Sequence, residues 1–519
     1  MTTNAARSPG RRRWILRALI GLALCFLLVW LIFALGSWSQ RIVIDFDYLE
    51  DLNAPAQAVP ESERAWPALR EALLSLDLQG RDSFLEFLEA CNQDASSEWL
   101  PDWFARNESG LERIREAVSR EHLGFLHVYG VPIGDDRLVL LSGFERENAA
   151  QLPSGAVRSV DAPPVFMPIE LEHRFTKIPR GLARLLIQHA EQSVREGAPG
   201  LAVQDIAAVL DLGRLVAQDR MLISQLVGLS LNELALKASL KLMANPDFQS
   251  DREALDALAQ VLDDPRVRPG PVDFHGERAA VRDLIQRFYT TDGSGDGRLD
   301  VDGFAAMSTA NGTPLPIPLH VGVLRSIMGP FVASAGSSRA EVESVARRCY
   351  DAADDLQTQD VWAMDWTEYD AAFGPVSATG TGVLSSLELF PLPLLMPSLD
   401  RTIMSSHQSR FQFDLVRLVL ALQRHRIDEG AWPDTLQALV PGESFVVPLD
   451  PHDGEPLRYR LVEGAPMLWS VGPDRIDQSG VTSPELVGPR WLMPKRDAFP
   501  VPEGDLVLWP LESEDGSRD

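Results

Sequence analysis

The chain has 519 residues, 48 of them Lys or Arg against 74 Asp or Glu, a formal net charge of −26 at pH 7. A surface of that sign repels nucleic acid and anionic headgroups, so no nucleic-acid partner is expected. The length exceeds what one hydrophobic core organises, which implies roughly two to four domains. Residues 18–36, from Ala18 to Gly36, are uncharged and almost wholly apolar. As a helix rising about 1.5 Å per residue they span roughly 28 Å, near the hydrocarbon thickness of a bilayer. Trp14 and Trp38 sit where interfacial aromatics belong. The run is longer than the roughly 7–15 apolar residues of a signal-peptide core, so it reads as a retained anchor; cleavage after Ala34-Leu35-Gly36 is the alternative. Arg7, Arg11, Arg12, Arg13 and Arg17 precede it with no acidic residue, which places the N-terminus in the cytoplasm and the rest outside it. Residues 1–40 are therefore read as a cytoplasmic tail and single-pass cell-membrane anchor, with a periplasmic body.

Without those five arginines the 48 basic residues fall to 43 against 74 acidic, a charge of −31 for the exported part. Cys91 and Cys349 lie in that part; one disulfide could join them, but spacing alone cannot bring them together, and two buried free thiols are preferred. Residues 41–62 read as a stalk, because Pro55 and Pro60 oppose a continuous helix. Residues 63–260 read as mainly helical. Trp66, Leu69, Leu73, Phe84, Leu85 and Leu88 recur at helical spacing, and Leu182, Leu185, Leu186 and His189 line one face of a later helix. Gly197-Ala198-Pro199-Gly200 then predicts a turn into a second helix through Ile206, Val209 and Val216, a helical-hairpin bundle or repeat-like arrangement. Between Leu123 and Phe144 the pattern changes, and a strand hairpin over 123–144 is expected, a kinked helical pair being the alternative.

Residues 261–400 form a second helical region. Asp292-Gly293-Ser294-Gly295-Asp296-Gly297-Arg298-Leu299-Asp300-Val301-Asp302-Gly303 resembles a degenerate EF-hand loop. Asp292, Ser294 and Asp296 occupy its first, third and fifth positions, Arg298 would offer a backbone carbonyl, and Asp300 holds the ninth. At the twelfth, where the family has a bidentate Glu, stands Gly303, with Asp302 one residue early. The resemblance implies a calcium (Ca2+) site of low affinity; an Asp/Gly-rich turn needing no metal is the alternative. His275 and Glu277, two apart, do not share a helical face, which argues against a metal pair. Ser338-Arg339-Ala340-Glu341 is a capping box opening a helix. Gly374 to Gly382 reads as a linker.

From Gln412 onward Leu415, Leu418, Val419 and Leu422 form an apolar helix face, followed by Trp432-Pro433, Pro448-Leu449-Asp450-Pro451, Arg458-Tyr459-Arg460 and Gly472-Pro473-Asp474. In that order residues 401–485 resemble the globular domain of the type II secretion major pseudopilins, which implies a small α+β domain and a terminal loop able to bind calcium, here through Asp474 and Asp477, with Asp450 a further candidate. The anchor lies far upstream of this module, so the resemblance does not imply a filament-forming stem. Residues 486–519 read as an acidic tail. No Gly-x-Ser-x-Gly, His-Glu-x-x-His, Cys-x-x-Cys or Walker loop occurs, and no catalytic residue is assigned. The sequence reads as a mainly α membrane-anchored interaction or scaffold protein with a protein partner in the envelope. An envelope hydrolase using a carboxylate site, and an accessory subunit of a secretion or pilus-like machine, are the alternatives.

Overall fold

The computed structural model describes residues 9–38, 41–93, 99–128, 132, 134–142, 144–145, 174–304, 322–377, 388–396, 399–439, 446–482 and 503–510. The tail before Pro9, the linker beyond Ser377 and most of residues 486–519 lie outside them. The described protein is mainly helical, with one small sheet.

Helix α1, Pro9–Trp38, holds the apolar run of the sequence as one element. Its side chains from Leu19 to Ile32 are largely exposed, among them Leu22, Leu24, Phe26 and Leu28. Among the described residues no helix is long and apolar enough to cross a membrane.

The expected stalk is largely a packed element. The Asp47 carboxylate accepts from the Leu49 and Glu50 amides and starts α2, Tyr48–Gln57. Tyr48 and Leu52 are buried against Met221, Ala279 and Ala280, a burial that outweighs the cost of Pro55 within the helix.

Helices α3 (Ala65–Leu74), α4 (Phe84–Gln93) and α5 (Leu100–Val118) follow the apolar spacing read from the sequence. Among the described residues the hairpin over 123–144 is not formed. Residues 123–128 are extended, but the Asn53 side chain takes the place of a partner strand, accepting from the His127 amide at 2.7 Å and donating to its carbonyl at 3.0 Å. The second half of the expected hairpin is a short helix, α6 (Asp136–Leu140).

Helices α7 (Lys177–Arg195), α8 (Pro199–Ala217) and α9 (Leu222–Ala244) pack on one another, with α10 (Arg252–Asp263) against α8. The turn between α7 and α8 is the predicted one, and Gly197 adopts φ +77°, where side chains are strained. Where α8 meets α9, a Cβ on Gly228 would lie 2.7 Å from the Gly213 carbonyl oxygen, so only glycine permits that approach.

Two main cores result. The first joins residues 65–267 to 413–509, so the helix leading into the C-terminal module is buried in the helical body. The second gathers α11 (His275–Phe288), α12 (Gly322–Ala335), α13 (Arg339–Gln357), α14 (Thr367–Ser377) and the start of α15 (Leu399–Glu429). The cores therefore do not divide at residues 260 and 400. The capping box is present: Ser338 accepts from the Glu341 amide and Glu341 accepts from the Ser338 amide. Cys91 and Cys349 are buried free thiols in separate cores.

After α15 come a 3-10 turn at Leu436–Leu439, the Asp450 loop, and strands β1 (Arg458–Val462) and β2 (Ala465–Ser470). Glu463 and Gly464, at φ 52° and 81°, make the tight turn between them. A third strand, β3 (Leu506–Trp509), pairs antiparallel with β2. The segment expected to be a tail thus completes the sheet.

Candidate functional site

A cavity of about 70 Å³ opens between α2, residues 122–127 and the α8–α9 junction. His122, His127, Gln218, Asp219 and Arg220 supply its polar lining, and Leu52, Pro55 and Phe125 its apolar walls. His127 Nε2 lies 3.0 Å from Asp219 Oδ1. The Ser224 hydroxyl donates to Asp219 Oδ2 at 2.5 Å, and the Met221 amide donates to Oδ1 at 3.4 Å. Burial works to raise the Asp219 carboxyl, but His127, the Ser224 hydroxyl and the Met221 amide outweigh it and hold the group below its ordinary value. The carboxylate therefore stays ionised and fixes the imidazole. His127 Nδ1 is buried without a hydrogen-bond partner. At the rim, Arg220 Nη1 is 3.0 Å from His275 Nε2, and the same nitrogen of His275 is 2.9 Å from Asp51 Oδ2.

Among the described residues this oriented imidazole has no adjoining nucleophile: the Ser224 hydroxyl is spent on the carboxylate, not on His127. Little in the sequence announces it. The segment carrying His127 is extended, and its partner Asp219 stands 92 residues away.

A second buried cluster closes α5 on α7 and α8. Arg115 Nε donates to Asp205 Oδ1 at 2.8 Å and Nη1 donates to Glu108 Oε1 at 2.9 Å. His189 Nδ1 lies 2.6 Å from Asp205 Oδ2, and its Nε2 lies 3.4 Å from Glu108 Oε2. His189 is a core residue, as its apolar stripe implied, yet its ring is held by charge as well as by packing on Phe104.

The metal-ligand candidates are occupied by amides. Asp292 Oδ1 accepts from the Ser294 amide and hydroxyl and from the Asp296 amide. Asp296 Oδ1 accepts from Gly297 N and from Ala340 N at the start of α13, and the Arg298 carbonyl accepts from Thr290 N. Asp300 accepts from the Asp302 and Gly303 amides. In the C-terminal module Asp474 takes Ile476 N and Gly504 N, and Asp477 takes the Trp469 indole and Ser479 N. Asp450 is fully buried and accepts from Ser470, Val471 and His452. Among the described residues, no group of three or more His, Cys, Asp or Glu is placed to hold a metal ion.

On the α1 side, Phe26 packs on Phe331 with ring centroids 5.8 Å apart, and the Trp30 indole donates to the Ile327 carbonyl at 3.1 Å. Beyond α1 the chain is pinned at once: Thr291 N donates to the Arg41 carbonyl, and the Asp45 and Phe46 amides donate to Gln286 Oε1. No known protein family, curated protein or solved structure matches this chain.

Proposed function

We propose that the protein is a single-pass, membrane-anchored extracytoplasmic interaction protein, with α1 as its anchor and the helical body and C-terminal sheet as partner surfaces. The observation that carries this is the outward apolar face of α1, from Leu19 through Ile32, on a helix whose N-terminal flank carries Arg11, Arg12, Arg13 and Arg17. Exposed apolar surface on that scale needs a nonaqueous partner, and a bilayer suits its continuity better than a protein groove. Among its described lining residues the His127 cavity has one carboxylate, Asp219, which is held low, so this cavity does not offer the pair that a carboxylate hydrolase needs.

The test is alkaline carbonate extraction of membranes from a bacterial host making the full chain, with protease added to intact spheroplasts. The native chain should stay in the pellet, with its body digested from outside. Leu24→Arg combined with Leu28→Arg should release it, each charge at the span centre costing about 2.5–3.5 kcal/mol. Native chain in the carbonate supernatant would overturn the anchor.

A further inference from the structure

We infer that α9 and α15 hold between them a binding site for a small neutral polyhydroxy compound, a polyol or a single sugar ring. The site does not depend on the anchor reading of α1 and goes beyond it.

The two helices line the site with stripes of the same spacing. On α9 the stripe is Leu226, Leu229, Ser230 and Glu233, and on α15 it is Ser405, Gln408, Ser409 and Gln412. Steps of three and four residues put each set on one helical face. Continued by the same steps, the α15 face becomes Leu415, Val416 and Val419, all wholly buried. The polar stretch that interrupts this apolar stripe falls at the seam of the two cores, between Ile403 in the second and Phe413 in the first. There the helices leave a cavity of about 130 Å³. A single water needs roughly 10–15 Å³ of such space, so this one admits several waters or a small organic molecule.

The lining lacks partners of its own. Gln412 is 2% exposed, and neither its amide nitrogen nor its amide oxygen has a hydrogen-bond partner among the described residues. Ser409 is 3% exposed, and its hydroxyl is likewise unpartnered. Ser405 and Ser406 show the ordinary solution, donating to the Arg401 and Gly270 carbonyls at 2.9 Å each. Buried polar atoms left unpaired cost stability, so three of them on one wall of a cavity point to a partner that enters it.

Charge and shape set the class of that partner. Glu233 is the one charged side chain among the described lining residues, and Lys237 Nζ lies 2.7 Å from its Oε1. An anion would meet that carboxylate with no cation in the described lining to offset it, and a cation would have to displace Lys237. Neutral chemistry fits. The Gln412 amide offers a donor and an acceptor side by side, and the Ser409 hydroxyl offers both, a pattern that pairs with adjacent hydroxyl groups. Leu226 and Leu229, on the other helix, supply apolar wall for the C–H face of a ring or polyol chain.

The experiment uses the full chain in an oxyethylene detergent, which carries no sugar, and measures binding of radiolabelled glycerol, glucose and inositol by equilibrium dialysis, with acetate and methylammonium as charged controls. The expected result is binding of at least one of the three polyols and of neither charged control. Affinity should fall about tenfold or more in Gln412→Leu and in Leu229→Trp, which fills the cavity from the other helix. Gln412→Leu should also raise the melting midpoint of the ligand-free chain, because it removes a buried amide that has no partner there. Failure of all three polyols to bind would overturn the site and leave water as its only occupant. Binding that survives both substitutions would place the polyol elsewhere and overturn it as well, and binding of acetate or methylammonium lost in both variants would overturn the ligand class. If one substituted chain does not fold, the other decides. None of these outcomes alters carbonate extraction, so the site and the anchor fail separately.

Discussion

Among the described residues two imidazole–carboxylate pairs are buried, His189–Asp205 and His127–Asp219, and they are closed differently. Asp205 is shared between Arg115 and His189, and Glu108 reaches both of those partners, where three helices meet. Asp219 is held by neutral donors and one imidazole, beside a cavity, and His127 keeps a buried nitrogen without a partner. The same residue types serve first as an internal brace and then as a fixed ring at a cavity wall. What separates them is the arginine.

Breaking the brace should have the largest effect. Asp205→Ala leaves Arg115 short of its buried counter-charge, and denaturation of the full chain in detergent should show a loss of about 3–5 kcal/mol. A loss below about 1 kcal/mol would mean the two pairs do not differ in kind. Asp219→Asn should cost less, about 1–3 kcal/mol, since it weakens hydrogen bonds to a buried acceptor without stranding an arginine. Its pH dependence has a definite sign. The folded carboxyl lies below its unfolded value, so the native protein's advantage over Asp219→Asn is present above about pH 4 and shrinks as pH falls through the folded value.

A third imidazole sharpens the contrast because its ring neighbour is a cation. Burial, and then the charge of Arg410, push His407 down from 6.5 to about 4. Stability tied to its neutral form is present above pH 6.5 and is lost as pH falls from 6.5 toward 4. His407→Leu should flatten that part of a thermal-melt-against-pH profile. The smallest effect is expected at Asp296→Ala, which removes an acceptor from the start of α13 at a cost of about 1 kcal/mol. Melts with and without millimolar calcium decide whether that carboxylate also serves a metal: the EF-hand resemblance requires calcium to raise the native midpoint and not the variant's.

Local features were legible in the sequence. The capping box at Ser338 and Glu341 and the Gly197 turn each depend on residues within one turn of chain, and both formed where the residues pointed. Errors arose where a distant group supplied the missing partner. Phe125 to His127 is extended as its alternation suggested, but Asn53, 74 residues earlier, bonds the backbone that a hairpin strand would have bonded. Strand β3 sits beyond a long intervening segment, and nothing near Leu506 announces that Trp469 will pair with Val507. The two buried pairs were hidden for the same reason: Asp205 and Arg115 are 90 residues apart, and burial, not spacing, joins them.

Helix α15 gives the molecule a mechanical axis. Its 31 residues extend about 46 Å, with Leu399 and Ile403 held in the second core and Phe413 through Leu422 in the first, before the chain enters the sheet. A helix gripped along its length is stiff in bending and in torsion. A load reaching either end of this helix would travel along it from one core to the other. A load at its C-terminal end is thus shared between the two cores rather than taken up by one of them.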